Sequence, residues 1–291
     1  MKKLFALLLV LAMALSLAAC GSTTSDNGND SGNGGSGGNA DSGGDAASGD
    51  KVIKIGMFEP STGDSASGGQ KEMLGMQYAN SVCPTVTVGG EEYTVELIPA
   101  DNGSVVEKAS SAATQLINEG VSVVLGSYGS SVSMAAGPLF QQAGIPAIGV
   151  TCTNPQVTAG NDYYFRICFL DPFQGTVLAN FAMDELGAAK AYCLGELGNE
   201  YDQGLISFFE SAFTAAGGTV IKDTYPSQNS DFTSYLNKAK SEDVDVIFTP
   251  VSIAYSTQIV SQAATLGIDI PILGYNLRCR RQALCKLPRP F

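Results

Sequence analysis

The chain has 291 residues and is acidic, with a formal net charge of −12 and a sequence pI of about 4.4. It contains no histidine, which excludes Ser-His-Asp and Cys-His catalysis and the zinc sites that need histidine. Residues 51–274 hold nine Lys or Arg against 23 Asp or Glu. This excess of acid argues against nucleic acid or anionic lipid as a partner.

The N-terminus has the features of an export signal. Lys2 and Lys3 precede an apolar run from Leu4 to Leu17, which is too short to span a bilayer and leads into small residues. The sequence Leu17-Ala18-Ala19-Cys20 resembles a bacterial lipobox. We therefore expect a signal peptide over residues 1–19 and a lipid on Cys20 that holds the exported chain on the outer face of the cytoplasmic membrane. An ordinary cleavage region with an incidental cysteine is the alternative.

A linker is predicted over residues 20–50. After Cys20 it consists of Gly, Ser, Thr, Asn, Asp and Ala alone, so it has nothing to bury and carries only negative charge. Such a composition favours disorder. Treated as a flexible coil, thirty residues reach roughly 30 Å, which suits a lipid-anchored leash that holds a folded domain away from the membrane.

From residue 52 onward, strands and helices alternate, and this alternation predicts an α/β fold with parallel sheets and helices on both faces. The length suffices for two lobes, expected over residues 51–170 and 171–274. Ser104 and Glu107 have the spacing of a helix capping box, and Asp171-Pro172 is typical of a helix start. The predicted strands cover Val52–Phe58, Tyr93–Ile98, Val121–Leu125, Ile145–Val150, Tyr163–Ile167, Ala189–Leu194, Thr219–Ile221, Asp245–Thr249 and Ile270–Gly274.

Two of these strands end in polar loops that suggest a binding site. Ser130 and Ser131 open the helix that follows the strand Val121–Leu125, and Thr151 and Thr153 follow the next strand. A helix N-terminus offers free N–H groups and positive dipole to a small anion such as a carboxylate. Ligands of α/β proteins bind outside the carboxyl ends of strands. The alternative is that Ser130 only caps its helix and the second loop is only a turn.

The remaining sequence gives no sign of catalytic or cofactor-binding machinery. Four cysteines of the predicted domain are widely spaced and form no C-x-x-C pair, so a metal site is not expected, and free thiols or disulfides both stay open. They are Cys83, Cys152, Cys168 and Cys193. No phosphate-binding or dinucleotide-binding glycine motif is present. We therefore predict a protein without cofactor that is not an enzyme.

The segment GSYGSSVSMAAGPLFQQAGIPAIGVTCTNPQVT resembles the core of the type I periplasmic binding proteins of branched-chain amino acid ABC transporters, in their lipoprotein form. The resemblance extends from about Lys51 to Gly274 and includes the loop FEPSTG, the helix start GQKE and the segment FRICFLDPFQG. It implies a two-lobe protein that captures a small amino acid and delivers it to an ABC permease.

The resemblance also implies residue roles. The Ser130 hydroxyl and amide, together with the Thr153 amide, would hold the α-carboxylate of the ligand. The Thr151 carbonyl and the Thr153 hydroxyl would accept from its ammonium. Tyr201, in the sequence Tyr-Asp-Gln-Gly, would close over the ligand from the second lobe. Further candidates are Ser131 and, in the loop after the strand Asp245–Thr249, Ser252.

Two alternative functions remain open, and the C-terminal residues depart from the family pattern. The same fold could serve a sensor that signals to a membrane receptor, or the cargo could be an amide, urea or another small polar solute. Residues 275–291 contain five Arg or Lys and no acid, where the family continues with further βα units. We expect an aberrant basic tail on a truncated product with an incomplete second half, and a genuine tail for an anionic surface is the alternative.

Overall fold

The computed structural model describes residues 51–274. Cys20, the predicted signal peptide and linker, and the predicted basic tail lie outside this range. The strands are β1 (Val52–Glu59), β2 (Thr85–Val88), β3 (Glu91–Asp101), β4 (Val123–Leu125), β5 (Ala147–Gly149), β6 (Tyr164–Arg166), β7 (Lys190–Glu196), β8 (Thr219–Tyr225), β9 (Val246–Phe248) and β10 (Ile272–Leu273). The helices are α1 (Ala66–Val82), α2 (Val106–Asn118), α3 (Ser130–Ala143), α4 (Asp171–Asp184), α5 (Glu200–Ala215), α6 (Thr233–Ser241) and α7 (Ile253–Thr265).

The first sheet has the strand order β2-β3-β1-β4-β5-β6. Its strands pair in parallel, except that β2 runs antiparallel to β3. The strand β2 was not predicted, although its sequence Thr-Val-Thr-Val alternates polar and apolar residues ahead of a Gly-Gly pair; all four residues are exposed, so no contact with the core distinguishes them. Gly89 and Gly90 form the connecting turn with φ angles of 60° and 85°, a conformation that glycine adopts without steric cost.

The core of the first lobe lies between this sheet and its helices. Phe58 on β1 packs edge-on against Phe140 on α3, with ring centroids 5.6 Å apart. The predicted apolar face of α2 is confirmed, since four of its members are fully or nearly fully buried: Ala109, Ala112, Ala113 and Leu116. Small side chains at this spacing let the helix approach the sheet closely.

The second sheet has the order β10-β9-β7-β8, and all its pairs are parallel. Successive side chains of β7 enter two different cores, with Tyr192 and Leu194 in one and Ala191 and Cys193 in the other. A strand buried on both faces needs helices on both faces. The predicted parallel sheet with helices on both faces is therefore confirmed, and β7 is an inner strand of the second sheet.

The predicted capping box at Ser104 is wrong. Helix α2 begins at Val106, and no side chain caps it. Ser104 instead has a φ of 63°, and its hydroxyl accepts from the Ser65 N–H at 3.0 Å and donates to the Thr62 carbonyl at 3.1 Å. Ser104 thus links its own loop to the loop of Thr62 and Ser65 at the carboxyl edge of the first sheet. Its hydroxyl bonds to that loop and not to helix α2.

Candidate functional site

A cleft of about 210 Å³ opens at the carboxyl ends of the strands, between residues of both predicted lobes. All six residues predicted for ligand binding line it: Ser130, Ser131, Thr151, Thr153, Tyr201 and Ser252. Two further aromatic side chains, Tyr128 and Phe169, share the lining with them. The structure therefore brings the candidates together, and their role toward a ligand stays a prediction.

The N-terminus of helix α3 faces this cleft without a cap. Ser130 is the first helical residue, Gly129 precedes it, and within residues 51–274 no side chain caps the helix. The alternative that Ser130 only caps its helix is therefore wrong. Its hydroxyl oxygen accepts from the Asn154 N–H at 3.3 Å, which leaves the hydroxyl proton for another acceptor. An anion at this position would meet open N–H groups and the positive end of the helix dipole.

Helix α5 also starts at the cleft, but its N–H groups already have partners. The Asn199 side chain accepts from the N–H groups of Tyr201 at 3.1 Å and Asp202 at 3.3 Å. Ser131 accepts from the Glu200 N–H at 3.0 Å, so this predicted ligand residue links the two lobes. Of the two helix starts, α3 is the one left open for an anion.

The loop after β5 is held in place by Arg166, the lone arginine of residues 51–274. Its guanidinium donates to the carbonyls of Cys152 at 3.0 Å, Asn154 at 2.9 Å and Pro155 at 3.2 Å, and to the Thr158 hydroxyl at 2.8 Å. A planar guanidinium suits such a fan of acceptors. The sequence analysis assigned Arg166 only to a strand. The signal that could have identified it is that residues 51–274 contain no other arginine.

Unpartnered hydrogen-bond acceptors lie in the lining of the cleft and beside it. Thr153, Asp171 and Gln174 are 5%, 0% and 6% exposed. Among the described residues, the Thr153 hydroxyl, both Asp171 carboxylate oxygens and the Gln174 side-chain oxygen have no hydrogen-bond partner. Thr153 and Gln174 line the cleft, and Asp171 donates its backbone N–H to the Thr153 carbonyl at 3.1 Å. Buried acceptors normally have a hydrogen-bond donor in folded proteins, so these atoms could bind a donor group of a ligand.

The environment of Asp171 makes its charge sensitive to pH. Burial raises the pKa of Asp171 to about 6, although the nearby Thr153 hydroxyl and the Arg166 charge both favour the ionised form. The Thr153 hydroxyl lies beside the carboxyl, yet outside hydrogen-bond geometry. The sequence analysis treated Asp171 only as a helix start, and an acid next to a proline gave no signal of burial.

The other predicted residues have protein partners. Thr151 donates its hydroxyl to the Glu72 carboxylate. Tyr201 accepts at its hydroxyl from the Gln174 side-chain amide at 3.2 Å, and Ser252 accepts from the Tyr255 N–H at 3.4 Å as the cap of α7. Tyr255 in turn donates to Asp64 at 2.8 Å. This bond and the bond of Ser131 to Glu200 join the two lobes on two sides of the cleft.

The described residues give no support for a metal site or a membrane span. No group of three or more His, Cys, Asp or Glu side chains in residues 51–274 could hold a metal ion. The four cysteines of this range are unbridged thiols. In the same range, no helix has the length and apolar content that a membrane crossing needs.

A comparison with protein families finds one match that covers most of the chain. The model of a family described as periplasmic binding protein matches residues 52–278. The chain belongs to this family. The membership confirms the family and the fold predicted from the sequence.

Three solved members of the binding-protein family show how similar the folds are. A leucine binding protein from Thermotoga maritima is 33% identical with a TM-score of 0.73, over 77% of this chain and 63% of its own. A branched-chain amino acid transporter substrate binding protein from Streptococcus pneumoniae, solved with isoleucine, is 31% identical with a TM-score of 0.69, over 77% and 64%. A solute binding protein from Rhodopseudomonas palustris, solved with benzoate, is 26% identical with a TM-score of 0.69, over 77% and 62%.

The curated relatives are longer than this chain. The chain covers 60% of a Leu/Ile/Val-binding protein homolog from Brucella melitensis, to which it is 26% identical over 225 residues. All the relatives cited are named as binding proteins, which confirms at the level of the family that the chain is not an enzyme.

Proposed function

We propose that this chain is the substrate-binding component of an ABC transporter and that it takes a small amino acid into the cleft. The observation that carries the proposal is the presence of two kinds of polar group at the cleft. One is the uncapped N-terminus of α3. The other, called the acceptor wall below, is the set of buried acceptors without donors on Thr153, Asp171 and Gln174. A zwitterion, which carries a carboxylate and an ammonium on the same headgroup, complements both.

The carboxylate belongs at the start of α3. The N–H groups of the first turn point to the cleft, and the Ser130 hydroxyl keeps its proton for the ligand because its oxygen already accepts from Asn154. Arg166 fixes the backbone around Thr153, so the donors are in position before the ligand arrives. A preorganised site loses less entropy on binding.

The ammonium belongs at the acceptor wall. An ammonium has three N–H donors, and the Thr153 hydroxyl, the Asp171 carboxylate and the Gln174 side-chain oxygen are acceptors in need of donors. Thr153 thus serves the ammonium in addition to the predicted role of its amide at the carboxylate. Tyr201 and Ser252 complete the wall from lobe two.

Delivery to a permease follows from the relatives. A solved relative at 31% identity is named a transporter substrate binding protein and holds isoleucine, which favours a branched-chain amino acid as cargo and a permease as partner. Closure of two lobes about a hinge is a common way for binding proteins to enclose their ligands. Transport of an amide or urea is the weaker hypothesis for the cargo, since neither solute carries both charges. A sensor would bind the same ligand, and the lipobox and the linker favour transport over sensing.

Export and anchoring remain part of the proposal. Membership in a periplasmic family supports an extracytoplasmic location, and the lipobox at Cys20 supports a lipid anchor, although it lies outside the described residues. The variant Cys20→Ala should yield an unprocessed precursor or a released protein. Unchanged mass and unchanged membrane retention in this variant would refute the anchor.

A second cargo class deserves a direct test. The relative from Rhodopseudomonas palustris holds benzoate, a carboxylate without an amine, and the cleft has aromatic side chains in its lining. An aromatic acid would satisfy the start of α3 and leave the acceptor wall without a donor. The acceptor wall therefore favours the amino acid.

A thermal-shift panel decides between these cargoes. Ligand at about 100 times its Kd stabilises the folded state by about 2.7 kcal/mol, which raises the melting temperature measurably. We expect isoleucine, leucine or valine to stabilise the chain, and benzoate, urea and aliphatic amides to have little effect. Stabilisation by benzoate and not by any amino acid would overturn the proposed cargo.

A further inference from the structure

Two buried carboxyl groups stand behind Thr151. Glu59, the last residue of β1, is 1% exposed, and Glu72 on α1 is partly buried. The two carboxyl groups lie close enough for the charge of Glu72 to raise the pKa of Glu59. No Lys or Arg of residues 51–274 forms an ion pair with either of them. Two such groups cannot both ionise without a countercharge, so they share a proton.

The hydrogen bonds around the pair indicate where the proton lies. Glu59 accepts from the Tyr128 N–H at 2.8 Å through Oε2, and Glu72 accepts from the Thr151 hydroxyl through Oε1. Glu59 Oε1 and Glu72 Oε2 are fully buried, and neither accepts a hydrogen bond from an N–H or O–H group of the described residues. The proton on Glu59 therefore faces Glu72, which carries the charge and is stabilised by the bond from Thr151.

The surrounding chain is built around this pair. A Cβ at Gly126 would overlap the Glu59 carboxyl, and the φ of Gly126 is 117°, a conformation that only glycine adopts readily. Substitution at Gly126 would thus displace Glu59. The close approach of backbone and carboxyl explains why this loop has a glycine after β4.

We infer that Glu59 and Glu72 form a positioning pair that carries one proton and one negative charge and orients the Thr151 hydroxyl toward Glu72. With its proton committed to Glu72, the Thr151 oxygen presents only lone pairs to the cleft. The Thr151 oxygen therefore favours a ligand group that donates a hydrogen bond. A cationic donor is favoured most, because the negative charge of Glu72 is hydrogen-bonded to the same hydroxyl. The inference rests on the proposed function for the identity of that donor as a ligand ammonium.

The neighbouring titratable groups do not neutralise the pair. Burial raises the pKa values of Tyr164, Cys152 and Cys168, so that all three are neutral at pH 7. Burial also raises the pKa values of both Glu59 and Glu72, and the Glu72 charge raises that of Glu59 further. The hydrogen bonds from Glu59 and Thr151 oppose this rise at Glu72, so Glu59 is the member of the pair that holds the proton.

Infrared difference spectroscopy tests the shared proton without any ligand. The spectrum of the wild-type chain at pH 7 minus that of Glu59→Gln should contain the carbonyl band of a protonated carboxyl group, with a shift in D₂O. The subtraction removes other buried acids, such as Asp202, whose pKa burial also raises. Absence of the band would overturn the inference.

Ligand selectivity tests the effect on Thr151. The readout is the ratio of the affinity for an amino acid to that for its des-amino analogue, measured by calorimetry on folded variants. Glu72→Gln should lower this ratio about tenfold, because the buried charge behind Thr151 is lost or moved away. Glu59→Gln, whose amide can donate to Glu72 as the proton does, should retain more of the preference. Glu96→Gln, at an exposed position of the same lobe, is the matched control.

Each outcome has a clear meaning. A ratio that is the same in Glu72→Gln and in Glu96→Gln would overturn the inference, since a purely structural pair would weaken both ligands equally. If Glu72→Gln does not fold, Thr151→Val removes the same acceptor and should lower the ratio in the same way. A wild-type chain that binds no amino acid would refute the proposed function, and the infrared band would still decide the state of the pair.

Discussion

Asp171 shows how a single residue can couple ligand binding to pH. Its carboxyl is fully buried and has no partner among the described residues, so ionisation costs free energy until a cation arrives. Burial raises its pKa to about 6. A bound ammonium would favour the ionised form and lower this value again. Proton release therefore accompanies binding near pH 6.

The first prediction follows from this coupling. The affinity for an amino acid should fall as the pH drops below about 6, by up to tenfold per pH unit, because a proton competes with the ammonium for Asp171. Asp171→Asn should bind at least tenfold more weakly at pH 7.5 and lose this pH dependence. Calorimetry at pH 5, 6 and 7.5 measures both effects. An equal pH dependence in the two proteins would contradict the role of Asp171.

The same residue affects the stability of the free chain. Because the folded-state pKa of about 6 exceeds the ordinary value, Asp171 binds more protons in the folded than in the unfolded state between about pH 4 and pH 6. Its stabilising contribution is complete below about pH 4 and is lost as the pH rises through about 6. Denaturant unfolding of Asp171→Asn should lack this loss.

At the residue scale, sequence reasoning predicted part of the candidate site. The hydroxyls of Ser130 and Thr153 were predictable, because residues just after parallel strands meet at one edge of a sheet. Asp171 and Gln174 were not predicted as site residues. Their importance comes from burial against another part of the chain, and no local pattern records such burial.

At the element scale, the contrast between two helix starts decides where an anion can bind. Helix α5 has Asn199 as an N-cap whose side chain accepts two N–H groups. Helix α3 has a glycine in that place and no capping side chain among the described residues. Glycine at the N-cap costs only a few tenths of a kcal/mol relative to a capping side chain, so α3 is stable with an open start. A ligand carboxylate would supply the acceptor that the N–H groups of its first turn lack.

The second prediction concerns the loop that faces α3. Arg166→Lys should lower the free energy of unfolding by about 1–3 kcal/mol and weaken ligand binding about tenfold, because one ammonium cannot replace the fan of four bonds. Thr158→Ala, which removes one of those bonds, is the matched control and should cost about 1 kcal/mol. Denaturant unfolding and calorimetry give the two values. An Arg166→Lys variant no worse than the control would contradict this account of the loop.

The existence and order of the strands were predictable where hydrophobic pattern decides the structure, but their boundaries were not. The nine predicted strands all correspond to strands of the structure, since buried parallel strands are short apolar runs. The hairpin strand β2 was missed although its four residues alternate polar and apolar, and all four are exposed. The capping box at Ser104 failed because the spacing of Ser104 and Glu107 does not reveal that Ser65 and Thr62 compete for the hydroxyl.

At the scale of the whole molecule, contacts across the cleft control access to the site. The Tyr255 hydroxyl donates to Asp64 of lobe one at 2.8 Å and accepts from the Gln228 N–H at 2.8 Å. Its ring packs on Tyr225, with centroids 5.1 Å apart, so the hydroxyl is held rigidly toward the other lobe. Opening the cleft on this side would break the bond to Asp64.

The third prediction tests this contact. Tyr255→Phe should speed ligand release about fivefold, because one hydrogen bond between the lobes is lost. Tyr225→Phe is the matched control, since its hydroxyl is buried beside the same ring and has no partner among the described residues. Stopped-flow measurement of ligand dissociation compares them. Equal rates in the two variants would show that the Tyr255 bond does not hold the lobes together.

The proposed cleft binds both charges of an amino acid, the carboxylate at the start of α3 and the ammonium at the acceptor wall. Calorimetry of isoleucine, its amide and its des-amino acid against the wild-type chain, Ser130→Ala and Asp171→Asn tests it most directly. We predict that each analogue binds the wild type about 10- to 100-fold more weakly than isoleucine, a loss of about 1.5–3 kcal/mol. Ser130→Ala should reduce the penalty of the amide alone, and Asp171→Asn that of the des-amino acid alone. Equal affinity of the wild type for all three ligands, or equal penalties in both variants, would contradict the account.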